Sequence, residues 1–204
     1  MVNYQERYDK GASTYNLHVK KKNYFGPGYI AEYLLELASE QIISLNSDIK
    51  VLDAGCGTGL IGVELRKHDF LHIDGVDFSI EMIKLAHKTG AYQNLIGWCD
   101  LNKNPPFFLH NQYDITICCG VFFADLVKLT ALKWLAEVTK PGGIILLSTR
   151  VAFCQDYNFE DYYKKLELLK HLKLIDSRMD QPYVGNESNA HYWVFGIPET
   201  KFGS

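Results

Sequence analysis

The chain has 204 residues, a length that predicts a single domain of ordinary size. Its 21 basic and 24 acidic side chains give a formal net charge of −3, which argues against the basic surface of a general nucleic-acid-binding protein. No apolar run is long enough to span a membrane, and the first residues lack the apolar core of a signal peptide. Five cysteines without metal-ligand spacing favour reduced thiols, a cytoplasmic location and no bound metal.

The first residues differ in pattern from the rest of the chain. Residues 1–27 are polar, rich in tyrosine and weakly periodic, and they end at Gly26-Pro27-Gly28. A segment of this kind buries little surface on its own. We therefore expect residues 1–27 to form an N-terminal lid segment over a domain that covers residues 28–200.

From residue 29 onward, helical and strand patterns alternate. Helices are predicted at 29–43, 60–67, 79–88, 131–138 and 159–172, with Pro141-Gly142-Gly143 ending the fourth. Strands are predicted at 49–53, 72–77, 95–99, 115–119, 144–148, 174–179 and 192–197. This alternation indicates an α/β fold with a doubly wound, seven-stranded, mostly parallel Rossmann-like sheet. Because no helix-length segment separates the final two strands, the last strand is expected to be antiparallel.

Three glycines between the first strand and the second helix predict a ligand site. Gly55, Gly57 and Gly59 can bring bare backbone N–H groups against a bound molecule at the start of a helix. With Gly62, the last two also satisfy the dinucleotide fingerprint GxGxxG, and Asp77 stands at about the expected distance from it. A nicotinamide-dependent oxidoreductase is therefore one interpretation.

Asp53 helps to distinguish between the ligands, because it ends the strand just before the glycines. A pyrophosphate there would meet a like charge, which costs about 4 kcal/mol at ~4 Å for an effective dielectric constant near 20. An ammonium and a sulfonium would instead be attracted. S-adenosylmethionine carries both, and its carboxylate can still accept hydrogen bonds from the loop.

These residues resemble the class I S-adenosylmethionine-dependent methyltransferases. Asp53 and the three glycines match the first motif of that family, and the resemblance covers residues 49–149. It continues in Gly75-Val76-Asp77-Phe78-Ser79, in Cys99-Asp100-Leu101 and in Lys140-Pro141-Gly142-Gly143. Within the family, the chain is most similar to the methyltransferase-like proteins of the Williams–Beuren region, and this similarity fades after Arg150.

The resemblance implies a set of cofactor-binding residues. Asp77 would accept from both ribose hydroxyls, Asp100 would accept from the adenine amino group, and Phe78 and Met82 would sandwich adenine. The segment Tyr8–Asn16 is similar to an aromatic N-terminal motif that covers the methyl donor in small-molecule methyltransferases. The full set is Tyr8, Tyr15, Asp53, Gly55, Cys56, Gly57, Thr58, Gly59, Asp77, Phe78, Met82, Asp100, Leu101, Cys119 and Gly120.

The substrate is expected outside the carboxyl ends of the fourth and fifth strands, where open α/β sheets bind ligands. The residues that follow these strands are the predicted substrate-binding set: Phe122, Phe123, Arg150, Phe153 and Tyr157. With Tyr15, they would wall a mostly apolar cavity. Arg150 could pair with a substrate carboxylate or phenolate, or form an ordinary surface ion pair.

A general base is needed only if the nucleophile arrives protonated. The residues near the expected mouth that could act as one are His18, Asp156, Tyr157 and His191, and the sequence does not select among them.

The sequence thus favours methyl transfer to nitrogen, oxygen or sulfur of a small molecule by in-line displacement. The alternatives are a protein methyltransferase, the nicotinamide-dependent oxidoreductase above, and a cofactor-binding partner subunit that does not catalyse. The expected partners are a small-molecule substrate, with neither nucleic acid nor a membrane, and the expected state is a monomer or a homodimer.

Overall fold

Seven helices and seven strands make up the part of the chain that a computed structural model describes, residues 4–185 and 187–199. The helices are α1 Tyr4–Lys21, α2 Gly26–Ser39, α3 Leu60–Arg66, α4 Ile80–Lys88, α5 Ala131–Val138, α6 Val151–Tyr157 and α7 Phe159–Leu168. The strands are β1 Lys50–Ala54, β2 His72–Val76, β3 Asn94–Ile96, β4 Tyr113–Phe122, β5 Thr139–Arg150, β6 Lys173–Val184 and β7 Ser188–Gly196.

The strands form one sheet in the order β3-β2-β1-β4-β5-β7-β6. β1 pairs in parallel with β2 and with β4, so Asp53 lies opposite Gly75 on one side and Ile117 on the other. Chain order reverses between β1 and β4, the point at which such sheets bind ligands. β7 runs antiparallel to both β5 and β6. The predicted doubly wound, mostly parallel sheet with an antiparallel last strand is therefore confirmed.

Helices cover both faces of the sheet because its central strands are apolar on both sides. On one face, α2 and α3 pack on the sheet through a cluster that includes Leu34, Leu65 and Ile117. On the other face, α5 and α7 contribute Leu132 and Phe159 to a second cluster. The two layers hold the carboxyl ends of β1, β2 and β4 in a fixed arrangement.

Several element boundaries differ from the sequence-based prediction. The sequence predicts no helix at residues 151–157, where α6 lies, and it makes β3 longer and β4, β6 and β7 shorter than they are. The strand β5 begins at Thr139 rather than after Pro141-Gly142-Gly143. Pairing between β4 and β5 exists on both sides of this tripeptide, and the register shifts across it. The predicted cap of α4 is confirmed: the Ser79 hydroxyl accepts from the Met82 N–H at 3.2 Å.

The N-terminal segment forms α1, a polar helix of 18 residues in which Ala12 is the buried residue. After it, the Phe25 N–H donates to the Tyr183 carbonyl and the Gly185 N–H donates to the Asn23 carbonyl, both at 2.9 Å. These bonds join the chain between α1 and α2 to the end of β6. No helix in the described part of the chain has both the length and the apolar character needed to cross a bilayer.

The division into a lid at 1–27 and a domain at 28–200 stays a prediction. The helix α2 already begins at Gly26, just inside the expected lid. Residues 1–3 and residue 200 of that division lie outside the described residues.

Candidate active site

The glycine loop between β1 and α3 has a backbone that requires glycine. Gly55, Gly57 and Gly59 have φ of +80°, +53° and +90°, a region that other residues rarely adopt. A Cβ on Gly55 would lie 2.4 Å from the Val121 side chain. The Gly55 N–H donates to the Val76 carbonyl at 2.8 Å, which fixes the loop to the end of β2. The close approach of a ligand to bare backbone, expected from the sequence, is therefore available here.

Asp77 joins this loop to the start of α4. One of its carboxylate oxygens accepts from the Gly57 N–H at 2.9 Å, and the other accepts from the Ser79 N–H at 2.8 Å. Burial raises the pKa of Asp77 to about 6, although these two backbone hydrogen bonds favour the charged form. Each oxygen keeps a further lone pair, so the same carboxylate can also accept from two neighbouring hydroxyls.

Asp53 is buried beneath the loop and has one carboxylate oxygen to spare. Its Oδ2 accepts from the Tyr92 hydroxyl at 2.7 Å, whereas its buried Oδ1 has no hydrogen-bond partner among the described residues. Burial raises the pKa of Asp53 to about 7, and the bond from Tyr92 opposes that shift. A buried acceptor without a partner marks a place for an N–H donor or a cation. The sequence analysis missed Tyr92, whose hydroxyl also accepts from the Gly62 N–H at 3.1 Å.

A first cavity of 330 Å³ opens beside the glycine loop, at the carboxyl ends of the central strands. It brings together most of the residues predicted to bind the cofactor. Those on its wall are Tyr8, Tyr15, Gly55, Cys56, Gly57, Thr58, Asp77, Phe78, Met82, Asp100, Leu101, Cys119 and Gly120. The other two predicted residues lie off the wall, because Asp53 is under the loop and Gly59 is the N-cap of α3.

The wall of the first cavity also contains residues that the sequence analysis missed. They are Tyr4, Gln5, Tyr24, Pro27, Leu60, Ile61, Cys99, Asn102, Val121, Asp125, Leu126 and Val127. Asn102 has a visible structural role: it accepts from the Lys128 N–H at 2.7 Å and donates to the Leu126 carbonyl at 3.1 Å. These bonds hold the loop after β4 against the cavity. No motif marks such residues, because they reach the site from many separate segments: α1 and the link to α2, the first turns of α2 and α3, the end of β4 and the loops after β3 and β4.

Two hydrogen bonds attach α1 to this site. The Thr58 hydroxyl donates to the Asn16 side chain at 2.6 Å, and the Ser79 hydroxyl donates to the Asp9 carboxylate at 2.5 Å. Between them, the Tyr8 ring lies 5.6 Å from that of Phe78 in an edge-on contact. Helix α1 is therefore joined to both the glycine loop and the start of α4, and it covers the space between them.

A second cavity of 370 Å³ adjoins the first beneath α1. The residues that line both are Tyr4, Tyr8, Tyr15, Tyr24, Met82 and Gly120. Those found on the second cavity alone include Arg7, His18, Lys22, Phe123, Arg150, Tyr183 and Glu187. The two cavities therefore share a wall of aromatic rings with Gly120 between them.

Arg150, the last residue of β5, contributes a guanidinium to the second cavity. Its central carbon lies 5.2 Å from the Phe123 ring centre and 5.7 Å from the Tyr183 ring centre, so both aromatic side chains contact the cation. The Arg150 Nε is buried and has no hydrogen-bond partner among the described residues. A buried donor left without an acceptor costs about 1–3 kcal/mol, and more on a charged group.

A cluster of hydroxyl and thiol groups lies where the two cavities meet. The Tyr24 and Tyr183 hydroxyls are 3.0 Å apart, and the Ser148 hydroxyl lies 3.4 Å from both the Tyr183 hydroxyl and the Cys119 sulfur. Burial raises the pKa of both tyrosines well above the ordinary value, so both phenols stay protonated. Gly120 has φ +83°, and a Cβ there would lie 2.7 Å from the Tyr24 hydroxyl. The cluster can exchange hydrogen bonds with a ligand, but its phenols cannot serve as bases.

The amino-acid sequence is similar to proteins of a known family. A family model described as a methyltransferase domain matches residues 51–143. Methyltransferase-like protein 27 of Homo sapiens is 33% identical over 143 residues, which are 70% of this chain and 56% of that protein. Malonyl-[acyl-carrier protein] O-methyltransferase of Bacillus anthracis is 28% identical over 179 residues, 85% of this chain and 60% of that protein.

The fold is also similar to that of solved structures. The crystal structure of a TehB-like SAM-dependent methyltransferase from Corynebacterium glutamicum superimposes with a TM-score of 0.58 at 21% identity, covering 84% of this chain and 97% of that one. The chain carries a methyltransferase domain of the S-adenosylmethionine-dependent family. S-adenosylmethionine is therefore the cofactor, and the resemblance predicted from the sequence is confirmed. The comparisons favour this family over a nicotinamide-dependent oxidoreductase.

The chain spans 56% and 60% of the two curated methyltransferases described above. Membership of the family does not by itself carry over their substrates.

Several predicted substrate-binding and catalytic residues lie away from the described walls of both cavities. Phe122 and Phe153 are fully buried, and their rings contact each other at 5.7 Å within the core cluster around α5 and α7. They therefore support the site from behind, and the cavity predicted from them is walled instead by Phe123, Arg150 and Tyr183.

The remaining candidates are also dispersed. The Tyr157 hydroxyl donates to Asp125, at the rim of the first cavity, and Asp156 is exposed at the end of α6. His191 accepts from the Asp180 N–H at 2.9 Å on the antiparallel side of the sheet. Of the four proposed bases, His18 is the one that lines a described cavity wall.

The pKa of Asp77 predicts how cofactor affinity depends on pH. If Asp77 is the ribose partner that the resemblance implies, its charged carboxylate accepts from both hydroxyls, and protonation below about pH 6 should weaken binding. We expect the affinity for S-adenosylhomocysteine, measured by titration calorimetry, to fall about tenfold between pH 7 and pH 5. Circular dichroism at both pH values checks that the protein stays folded. An affinity that is constant or rises on acidification would contradict this assignment.

Proposed function

We propose that this protein transfers the methyl group of S-adenosylmethionine to a small molecule bound in the second cavity. The observation that carries the proposal is that two cavities of small-molecule size share a wall beneath α1. Helix α1 lines both cavities and covers part of each, so the second cavity is a partly covered pocket. This arrangement suits a metabolite better than a protein segment or a nucleic acid.

The first cavity offers the groups that the cofactor needs. In our proposal, Asp77 accepts from the ribose hydroxyls and the glycine loop donates to the methionine carboxylate. The acid Asp53 beneath the loop favours the amino group through its negative charge, and Asp100 on the cavity wall accepts from the adenine amino group. The aromatic rings of Phe78 and Tyr8 then enclose the adenosine end of the cavity.

The reaction that we propose is an in-line displacement in which alignment and the exclusion of water do most of the work. When bound, S-adenosylmethionine supplies an electrophilic methyl group on a sulfonium. Tyr8 and Tyr15 on α1 shield the junction of the cavities from water. The missing side chain of Gly120 makes room for the Tyr24 and Tyr183 hydroxyls at this junction, and these protonated phenols orient the substrate by hydrogen bonds. If the nucleophile carries a proton, His18 is our candidate to remove it.

Two alternatives remain within the family. A protein methyltransferase would need a segment of its substrate to enter beneath α1, and the small volume of the second cavity, 370 Å³, weighs against that. A non-catalytic partner subunit would bind the cofactor without a methyl acceptor, and the second cavity then has no role. The relative from B. anthracis is named as an O-methyltransferase of malonyl-[acyl-carrier protein], which agrees with a small organic group at the methyl donor.

We also propose that the protein works in the cytoplasm as a monomer or a homodimer. The thiols of Cys56, Cys99, Cys118, Cys119 and Cys154 are all free. Free thiols, three of them next to the cofactor cavity, are easier to maintain in a reducing compartment.

A turnover assay separates these readings. The full chain is incubated with methyl-labelled S-adenosylmethionine and with either the small-molecule or the protein fraction of a cell extract, and S-adenosylhomocysteine is quantified. We expect label and product with the small-molecule fraction. Label in the protein fraction would identify a protein methyltransferase, and cofactor binding without turnover in either fraction would identify a non-catalytic subunit.

Replacing Asp77 by alanine should weaken S-adenosylhomocysteine binding by about 2–3 kcal/mol, because two charge-assisted hydrogen bonds are lost. Asp74→Ala is the matched control. That carboxylate lies on β2, three residues before Asp77, but accepts from the Tyr113 hydroxyl at 3.0 Å and from Asn94, away from the cavity. Calorimetry below the unfolding temperature of each variant measures the difference. Equal affinities for the two variants would show that Asp77 is not the ribose partner.

Helix α1 should become more protected when the cofactor binds, because Tyr8 and Tyr15 then gain a surface to pack on. We expect hydrogen exchange of residues 4–21 to slow on adding S-adenosylhomocysteine. The double variant Asp9→Ala/Asn16→Ala removes both bonds that attach α1 and should lose this protection, whereas Lys10→Ala, which removes only an exposed ion pair, should keep it. Equal exchange with and without the ligand in the wild type would argue against a lid.

A further inference from the structure

The charges around the second cavity are unbalanced. Its described wall carries the basic residues Arg7, Lys22 and Arg150 against a single acid, Glu187. That acid is already paired, because the Lys22 ammonium lies 2.8 Å from its carboxylate. The cavity therefore has an excess of positive charge that its own described residues do not neutralise.

Within that excess, Arg150 differs from Arg7 in its surroundings. Arg7 is exposed on α1, where water can solvate its charge. The guanidinium of Arg150 lies against two aromatic rings, and its buried Nε has no acceptor among the described residues. Aromatic rings attract a cation but do not replace an in-plane hydrogen-bond acceptor. The described residues therefore leave the Nε donor of Arg150 without an acceptor, and the same side chain lines a cavity in which a ligand can approach the guanidinium.

A second arginine that contacts an aromatic ring, Arg178, does have a carboxylate partner. The guanidinium of Arg178 lies 3.9 Å from the Tyr33 ring centre, and it is also paired with Glu36 at 2.5 Å. Outside the cavities, the fold thus supplies a carboxylate to an arginine that contacts a tyrosine. At Arg150 no described carboxylate forms an ion pair, because Glu187, whose pKa is lowered chiefly by Lys22 and also by the charge of Arg150, is paired with Lys22.

We propose that Arg150 binds a carboxylate of the methyl-acceptor substrate, and that this substrate is a small organic acid with an apolar body. This inference rests on the proposed function. The planar guanidinium fork matches a carboxylate with two parallel hydrogen bonds. The Phe123 ring and the side chains of Val19 and Val184 on the same wall provide apolar surface for the remainder of the molecule.

The position of Arg150 also sets the direction of the bound molecule. The charge of Arg150 acts on Tyr8 and Tyr15, the two rings between the cavities, and partly offsets the rise in their pKa values that burial causes. Arg150 is therefore near the junction without being part of the first cavity. A carboxylate bound at Arg150 leaves the other end of a small acid free to reach Gly120 and the methyl donor.

The test uses the full chain saturated with S-adenosylhomocysteine. Calorimetry measures the binding of aliphatic and aromatic monocarboxylates, each beside its neutral amide of the same shape, and of inorganic phosphate. We expect at least one carboxylate to bind, its amide to bind about tenfold more weakly or worse, and phosphate to bind more weakly than that carboxylate.

Variants then locate the binding site. Arg150→Gln should weaken the carboxylate about 10- to 100-fold while S-adenosylhomocysteine affinity changes less than about twofold, since charge-assisted bonds to the carboxylate are lost. Arg150→Lys keeps the charge without the planar fork and should give an intermediate value. Arg178→Gln is the matched control and should bind the carboxylate like the wild type. Circular dichroism confirms that each variant is folded.

The inference is overturned if acid and amide bind equally, if phosphate binds best, if no carboxylate binds, or if Arg150→Gln binds the acid unchanged. Each of these results leaves S-adenosylhomocysteine binding intact, so the proposed methyltransferase would survive. Failure of the wild type to bind S-adenosylhomocysteine would instead overturn the proposed function, and this inference with it.

Discussion

The site depends on one carboxylate, that of Asp77, which accepts one backbone hydrogen bond from the glycine loop and one from the start of α4. Through these bonds the end of β2 fixes the Gly57 amide and the cap of α4 at the same time. The Asp9 bond to Ser79 and the Asn16 bond to Thr58 then attach α1 to the two segments that Asp77 positions. Burial makes this charge expensive, and hydroxyl donors from a ribose would relieve part of that cost.

The sequence brings the predicted cofactor-binding residues together because local chemistry dictates their positions. Glycines at positive φ, an acid at a strand end and a Ser79 cap are visible in short stretches of sequence, and Gly55, Gly57 and Asp77 line the first cavity. Tyr92 was missed because its bond to Asp53 joins residues far apart in the chain. Helix α1 was not predicted as a helix because its polar residues have weak periodicity, and its position depends on contacts with other segments.

The substrate half was harder to predict for a related reason. A run such as Phe122-Phe123 alternates across the sheet, so one ring enters the core and the other lines the cavity, and the sequence does not say which. Phe122 and Phe153 belong to the core, and the residue that pairs with Phe123 around Arg150 is Tyr183, from the end of β6. The aromatic and cationic wall around Arg150 is thus assembled from the ends of three separate strands, β4, β5 and β6.

The most direct test of the account is a crystal structure of the full chain with S-adenosylhomocysteine bound. The account predicts that the two ribose hydroxyls contact Asp77, that the sulfur faces the second cavity beside Gly120, and that α1 closes over both cavities. A ligand bound elsewhere, or a sulfur that opens onto a shallow groove uncovered by α1, would contradict the central claim of a small-molecule site covered by α1.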